Sequence, residues 1–350
     1  MPRESTRAPI IGSLSGFSRM NPSHYILALA MTLGACMPST EETRDTGTGT
    51  ESTAEPCRAT EVGTLDPSLI NAASGLEVSS RFPGRLYHIN DSGNTARFFL
   101  SDLEGGLVQT VTIEGFESRD TEDITLGDCG PNRSCLFIAD FGDNDAVREE
   151  VRIVIIEEQE TFGASVEPLD LVRFQYPEGP TDAESIAIHP SGDLVIITKE
   201  MGFSTRSAHP SRVFRLSKDQ WQNASGAMQT ATLVGTLDFA ALTTDPFSGR
   251  VPTAMDIASD GSRFLVLSYV DAYEFYFDLL DGDLKPAAEM VSGVDYREID
   301  IELLEQQEAV AYLPGNDAFL YDTEFVTQRA VAGPPVAGRA RVMRVDCPVR

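Results

Sequence analysis

Glu184-Ser185-Ile186-Ala187, then Pro190-Ser191-Gly192-Asp193, then Leu194-Val195-Ile196-Ile197 stand in the middle of the chain. Two short, apolar, β-branched runs flank a turn of Pro, Ser, Gly and Asp, which is the pattern of a β-hairpin. The opening recurs at Ala73-Ser74-Gly75-Leu76, Glu122-Asp123-Ile124-Thr125, Met255-Asp256-Ile257-Ala258 and Glu308-Ala309-Val310-Ala311. Each is followed by a more apolar second strand: Leu86–Ile89, Cys135–Ala139, Phe264–Leu267 and Ala318–Tyr321 in the other four. Such repetition at a long, even period is the mark of a repeat architecture.

Working outward, third strands are expected over 97–102, 151–157, 212–217, 272–278 and 339–346. Fourth strands are expected over 108–114, 169–176, 231–239 and 287–291. The fifth repeat has no fourth strand of its own, whereas 57–65 lies before the first repeat without a partner. The simplest closure makes it the outer strand of the last blade. The expectation is an all-β, single β-propeller of five blades, closed by the N-terminal strand pairing with the C-terminal blade. Repeats of about 58 residues leave room for long loops or a sixth blade. A β-sandwich accounts for short strands but not for the repeated openings. Minor helices are expected at 218–222 and 301–307.

The first 35 residues read as a targeting segment. Arg3, Arg7 and Arg19 precede an apolar run from Tyr25 to Leu33, too short to span a bilayer as a helix. The run ends Leu33-Gly34-Ala35-Cys36, which resembles the lipobox of bacterial lipoproteins. That resemblance implies a signal peptide over 1–35 and lipidation at Cys36. Residues 36–56, rich in Thr, Glu, Ser and Gly, read as a disordered tether, and 57–350 as the propeller. Met37 rather than Asp after Cys36 favours the outer membrane of the cell envelope. The membrane is then a partner through the lipid alone. The chain carries a formal charge of −27, and loss of the leader makes it two units more negative. That charge argues against nucleic acid and anionic lipid as partners. A monomer is expected.

Four cysteines remain once Cys36 is assigned to lipid. In an exported protein they read as disulfides. Cys129 and Cys135 flank a turn, which leaves Cys57 with Cys347 at the two ends of the fold. A bond there would lock the ring, contributing roughly 5 kcal/mol on the chain-entropy model.

In a propeller the first strand of each blade lines the channel. Aligning the openings sets Ala73, Glu122, Glu184, Met255 and Glu308 at one level. Glutamates pointing at one axis repel unless protons or a cation neutralise them, and Ca²⁺ suits an oxygen-only set better than Zn²⁺. The alternative is that these glutamates bond to backbone amides of neighbouring blades. Asn90, Asp91, Asp140, Asp143, Asn144, Lys199, Glu200, Asp271 and Glu324 end the inner hairpins and would ring one mouth, as binding residues or as turn formers. Asp140–Val151 fails as an EF-hand, with Asp145 where Gly is needed and Val151 where Glu is needed. Gly-x-Ser-x-Gly, Walker and His-Glu-x-x-His motifs are missing.

Asn90-Asp91-Ser92-Gly93, Glu122-Asp123-Ile124, Asp140-Phe141-Gly142-Asp143-Asn144, Asp182-Ala183-Glu184-Ser185, Asp271-Ala272-Tyr273-Glu274 and Gln307-Glu308-Ala309 resemble phrases of a group of secreted bacterial propellers without assigned activity. That group usually carries Glu before the first Ser-Gly-Leu, where this chain has Ala73. The chain is also similar, at the level of fold, to calcium-activated nucleotidases and gluconolactonase-like propellers. The first likeness implies Ca²⁺ held by Ser74, Glu122, Glu184 and Glu308.

Two functions follow as expectations. One is a lipid-anchored envelope module that binds a glycan, peptide or protein, with Ca²⁺ in its channel. The other is a Ca²⁺-dependent hydrolase of a phosphoester or lactone. There Asp91 or Asp143 would act as base and Lys199 would pair with an anionic substrate.

Overall fold

The computed structural model describes residues 56–348, apart from 92, 94, 203–204, 283, 325–326, 329–335 and 338–339. The leader, Cys36 and the tether up to residue 55 lie outside the described residues.

Five antiparallel blades form a β-propeller. Their innermost strands are Ala73–Val78, Thr121–Gly130, Ala183–Ile188, Pro252–Ile257 and Gln307–Tyr312, in blades 1 to 5. Each packs beside the next, and the fifth returns to the first, so the ring is closed with five blades. The expected second and third strands all form, with ends shifted by a few residues at most. Arg58–Thr64 is the outermost strand of blade 5, antiparallel to Arg341–Asp346. Cys57 and Cys347 bond beside that pair, and Cys129 bonds Cys135 across the inner hairpin of blade 2.

The core is divided among the seams. Five apolar clusters each join neighbouring blades, as where Phe137 and Phe174 of blade 2 meet Ile186 and Phe214 of blade 3. Each strand sheds its apolar side chains to both faces, hence the near-continuous apolar runs in the second strands. Burying these aromatic and aliphatic groups is the main favourable term in folding. Blades 1 and 2 carry a further short strand lent by the next blade, Ser165–Val166 and Gln229–Thr230, which covers an otherwise open edge.

Two expected elements differ. The fourth strand of blade 4 is Tyr296–Ile299, whereas Ala287–Glu289 is a turn of 3₁₀ helix capped by Pro286. Proline fixes φ and starts a helical turn, which overrides the weak apolar run after it. The expected helix at 301–307 does not form, because that chain feeds the inner strand beginning at Gln307. The helix Lys218–Gln222 does form, with Ser217 and Gln220 in a capping box.

Every inner strand is bulged near its start. The register with the second strand slips between Ala73 and Gly75, Thr121 and Asp123, Ala183 and Ser185, Pro252 and Ala254, and Gln307 and Ala309. The residues at the bulge are therefore Ser74, Glu122, Glu184, Thr253 and Glu308. This corrects the alignment at two places: Ser74 replaces Ala73, and Thr253 replaces Met255. A bulge changes the strand phase by one residue, so apolar phrases placed on a common period drift past it.

Candidate functional site

The bulge residues divide by chemistry. The Ser74 hydroxyl donates to the Glu122 carbonyl at 2.6 Å, and the Thr253 hydroxyl donates to the Gln307 carbonyl at 2.9 Å, each reaching the next blade. Glu122, Glu184 and Glu308 remain, with relative exposures of 3%, 2% and 6%. Glu308 accepts no hydrogen bond and makes no ion pair among the described residues. Carboxylates do bind neighbouring-blade amides in this ring, but further along the channel. Glu77 accepts from Leu126 N at 3.1 Å, Asp123 from Ile186 N at 2.8 Å and Asp256 from Tyr312 N at 2.7 Å. Acidic residues in the inner strands thus have two roles, and position relative to the bulge separates them.

Around the three glutamates the mouth is built from loops. Lys199 follows the second strand of blade 3, its N–H donating to the Asp182 carbonyl at 3.0 Å. Its buried ammonium pairs with the Glu184 carboxylate and lies 5.7 Å from the Tyr269 ring centroid. On the other side Asp91, Asp120 and Glu122 each place a carboxylate oxygen within 4.8 Å of the others. Asp120 is set there by Asp140, which accepts the Asp120 N–H at 2.8 Å and is itself gripped by Arg148 and Arg152. Gly142 closes over the set. A Cβ on it would lie 2.0 Å from Glu122 Oε1 and 2.8 Å from an Asp120 oxygen.

Electrostatics follow from this crowding. Burial, then neighbouring carboxylates, pushes Glu122 and Glu308 well above the usual carboxylate range. Burial also raises Glu184, against the pull of Lys199. The same burial takes Asp182 to about 6 and Glu324 to about 7. Desolvation works against the Lys199 ammonium, but Glu184 and the other carboxylates outweigh it, so Lys199 stays charged.

Of the residues singled out from sequence, the structure brings Asp91, Glu122, Glu184, Lys199, Glu308 and Glu324 into one electrostatic cluster. Asn90 donates to Leu69 O and Asn71 Oδ1. Asp143 accepts the Val147 and Arg148 amides at 3.0 and 2.7 Å. Asn144 is exposed on that turn. Glu200 accepts from Thr198 and Arg212, and Asp271 from Thr243 and Tyr273. Asp120 and Asp182 join the mouth without being among the site residues expected from sequence. Their signal is Asp120-Thr121-Glu122 and Asp182-Ala183-Glu184, the same Asp two residues before a bulged Glu in consecutive blades.

Elsewhere, Ser101, His88 and Asp322 line up across the seam of blades 1 and 5. Ser101 Oγ lies 2.8 Å from His88 Nε2, and His88 Nδ1 lies 3.4 Å from Asp322 Oδ2. The order is that of a nucleophile, base and orienting acid. All three side chains are sealed at 1% exposure or less, and Ser101 Oγ donates to the Asp102 carbonyl. No substrate reaches them, so they are part of the seam. At the opposite mouth, the ends of all five inner strands line a cavity of about 390 Å³. Of the carboxylates reaching it, Glu77 and Asp256 are already engaged with two amides each, and Asp128 stands exposed at its rim.

No family model matches the chain, and no curated protein matches it. Among solved structures it is similar to a luciferin-regenerating enzyme, with 10% identity, TM-score 0.43, and coverage of 83% of this chain and 95% of that one. A candidate oxidoreductase (glucose dehydrogenase) from Thermus thermophilus gives 13% identity, TM-score 0.44, and coverage of 83% and 99%. Kuenenia stuttgartiensis hydrazine synthase gives 9% identity, TM-score 0.40, and coverage of 72% and 68%. Likeness at this level concerns chain arrangement alone.

Proposed function

We propose that the chain is a lipid-anchored cell-envelope propeller. It binds a glycan, peptide or protein partner at the acidic mouth, through one Ca²⁺ held by Asp91, Asp120 and Glu122. The observation that carries this reading is the approach of those three carboxylates to within 4.8 Å of one another. The donor set is all oxygen, without His or Cys, which fits Ca²⁺. Asp91 and Asp120 are half-buried, so an ion there would face solvent and could accept hydroxyl or carbonyl oxygens from a partner. The lipid anchor rests on the lipobox at Cys36, and intact mass of the mature protein, with and without Cys36→Ser, tests it.

Binding is preferred over hydrolysis because two of the three expected catalytic groups are committed elsewhere. Lys199 is paired with Glu184 and Asp143 with its own turn. The third, Asp91, stands among the ligands of the ion in this reading, and a phosphoester or lactone hydrolase would need it as base there. Calcium titration followed by thermal melting tests the site. A ligand that binds only the native state stabilises it by about 2.7 kcal/mol at a hundred times its Kd. A rise in Tm that EDTA reverses is expected, and a flat titration would overturn the reading.

A further inference from the structure

Resting on that cation reading, we propose that Arg148 is a positioning residue for the bound ion: without touching the ion, it locks the loop that holds Asp120 and Glu122 together.

Asp120 and Glu122 flank the first residue of the inner strand of blade 2, and the loop over 141–150 follows the second strand of that blade. Asp120 is gripped on both sides of its backbone by the start of this loop. Its N–H donates to Asp140 Oδ1 at 2.8 Å, and its carbonyl accepts from the Gly142 N–H at 3.1 Å. The Arg119 N–H donates to the same Asp140 oxygen at 3.1 Å. Gly142 also bounds Glu122, leaving no room for a Cβ beside Glu122 Oε1. Arg148 ties these two gripping residues together. One guanidinium nitrogen donates to the Gly142 carbonyl at 2.6 Å. The other donates to the Asp140 carbonyl at 2.9 Å and lies 3.4 Å from the Asp140 carboxylate. The Arg148 N–H donates to Asp143 at 2.7 Å, and the Asp143 N–H donates to Asp182 at 2.7 Å, just before the inner strand of blade 3. The Arg148 side chain is only 11% exposed.

A guanidinium offers donors and no acceptor, so Arg148 cannot ligate a cation. Its planar fork reaches two carbonyls at once, which the compact ammonium of a lysine does not reproduce. Charge and position therefore act on ion affinity with opposite signs. Removing a positive charge close to the site favours a divalent ion. Releasing Asp140 and Gly142 lets Asp120 and Glu122 move apart, and groups that orient metal ligands are worth about 10–100-fold in affinity.

The test is calcium calorimetry on the full chain, paired with europium(III) luminescence lifetimes in H₂O and D₂O, which count the waters on the ion. Arg148→Met and Arg148→Lys are each expected to weaken calcium at least about tenfold. Each is also expected to add about one water to bound europium, as a carboxylate withdraws from the shell. Arg148→Lys keeps the charge and covers the case in which Met at 148 prevents folding. Calcium affinity that is unchanged or tighter in either variant overturns the role of Arg148. So does weaker binding at an unchanged water count, because the ligand set is then whole. A wild type that takes no ion instead overturns the cation reading itself.

Discussion

Lys199, at the end of the second strand of blade 3, forms a buried ion pair with Glu184, at the bulge of the inner strand of the same blade. The pair puts a fixed positive charge where the inner strands of five blades converge. It also offsets part of the repulsion among acidic side chains that face one another from separate blades.

Gly142 is expected to be intolerant of any side chain for a reason of space. A Cβ there would lie 2.0 Å from Glu122 Oε1, which forces the carboxylate away from Asp91 and Asp120. Gly142→Ala should leave the fold intact by circular dichroism and weaken calcium binding at least tenfold, about 1.4 kcal/mol. Unchanged calorimetric affinity would show that Glu122 is not a ligand.

The Cys57–Cys347 bond joins residues 290 apart at the closing seam. Cys57→Ser with Cys347→Ser is expected to cost about 2–5 kcal/mol in urea unfolding. Loss of the Cys129–Cys135 bond, which spans only 6 residues, should cost less, because the loop it closes is short. Equal losses would mean that ring closure does not depend on the long link.

The Ser101–His88–Asp322 set gives a paired prediction. His88→Ala opens a cavity at a fully buried seam position and removes the ring nitrogen 3.4 Å from the buried Asp322, and a large-to-small change in a packed interior costs about 2–5 kcal/mol. A fluorophosphonate probe should fail to label Ser101 in the folded protein. Labelling of Ser101 would reopen the hydrolase reading at that seam.

Acidic pH should stabilise the calcium-free protein. Burial raises Asp182 to about 6 and Glu324 to about 7, above their unfolded values near 4. Between those limits the native state binds more protons than the unfolded one, so stability falls as pH rises. In EDTA, Tm is expected to decline from pH 5 to pH 8, and saturating calcium should flatten the decline. A Tm that climbs over this range in EDTA would contradict the crowding of carboxylates.

Much of this was legible in the residues. The repeated openings and the second strands mark four-stranded blades, and the stray strand at 58–64 finds its place only if the ring closes. Ser74 and Thr253 show where legibility ends. A bulge moves one residue out of phase, and nothing in an apolar run records it. Asp120 was hidden because its place depends on Asp140, twenty positions later, holding its amide. For Lys199 the sequence suggests a partner for an anionic substrate, since it does not reveal that Glu184 lies within reach.

The most direct test of the account is a crystal structure grown with calcium, with the ion located by its anomalous signal. One peak bound by Asp91, Asp120 and Glu122, with Lys199 still on Glu184, is the predicted result. A peak on the axis between Glu122, Glu184 and Glu308 with Lys199 displaced would contradict it, as would no peak at that mouth.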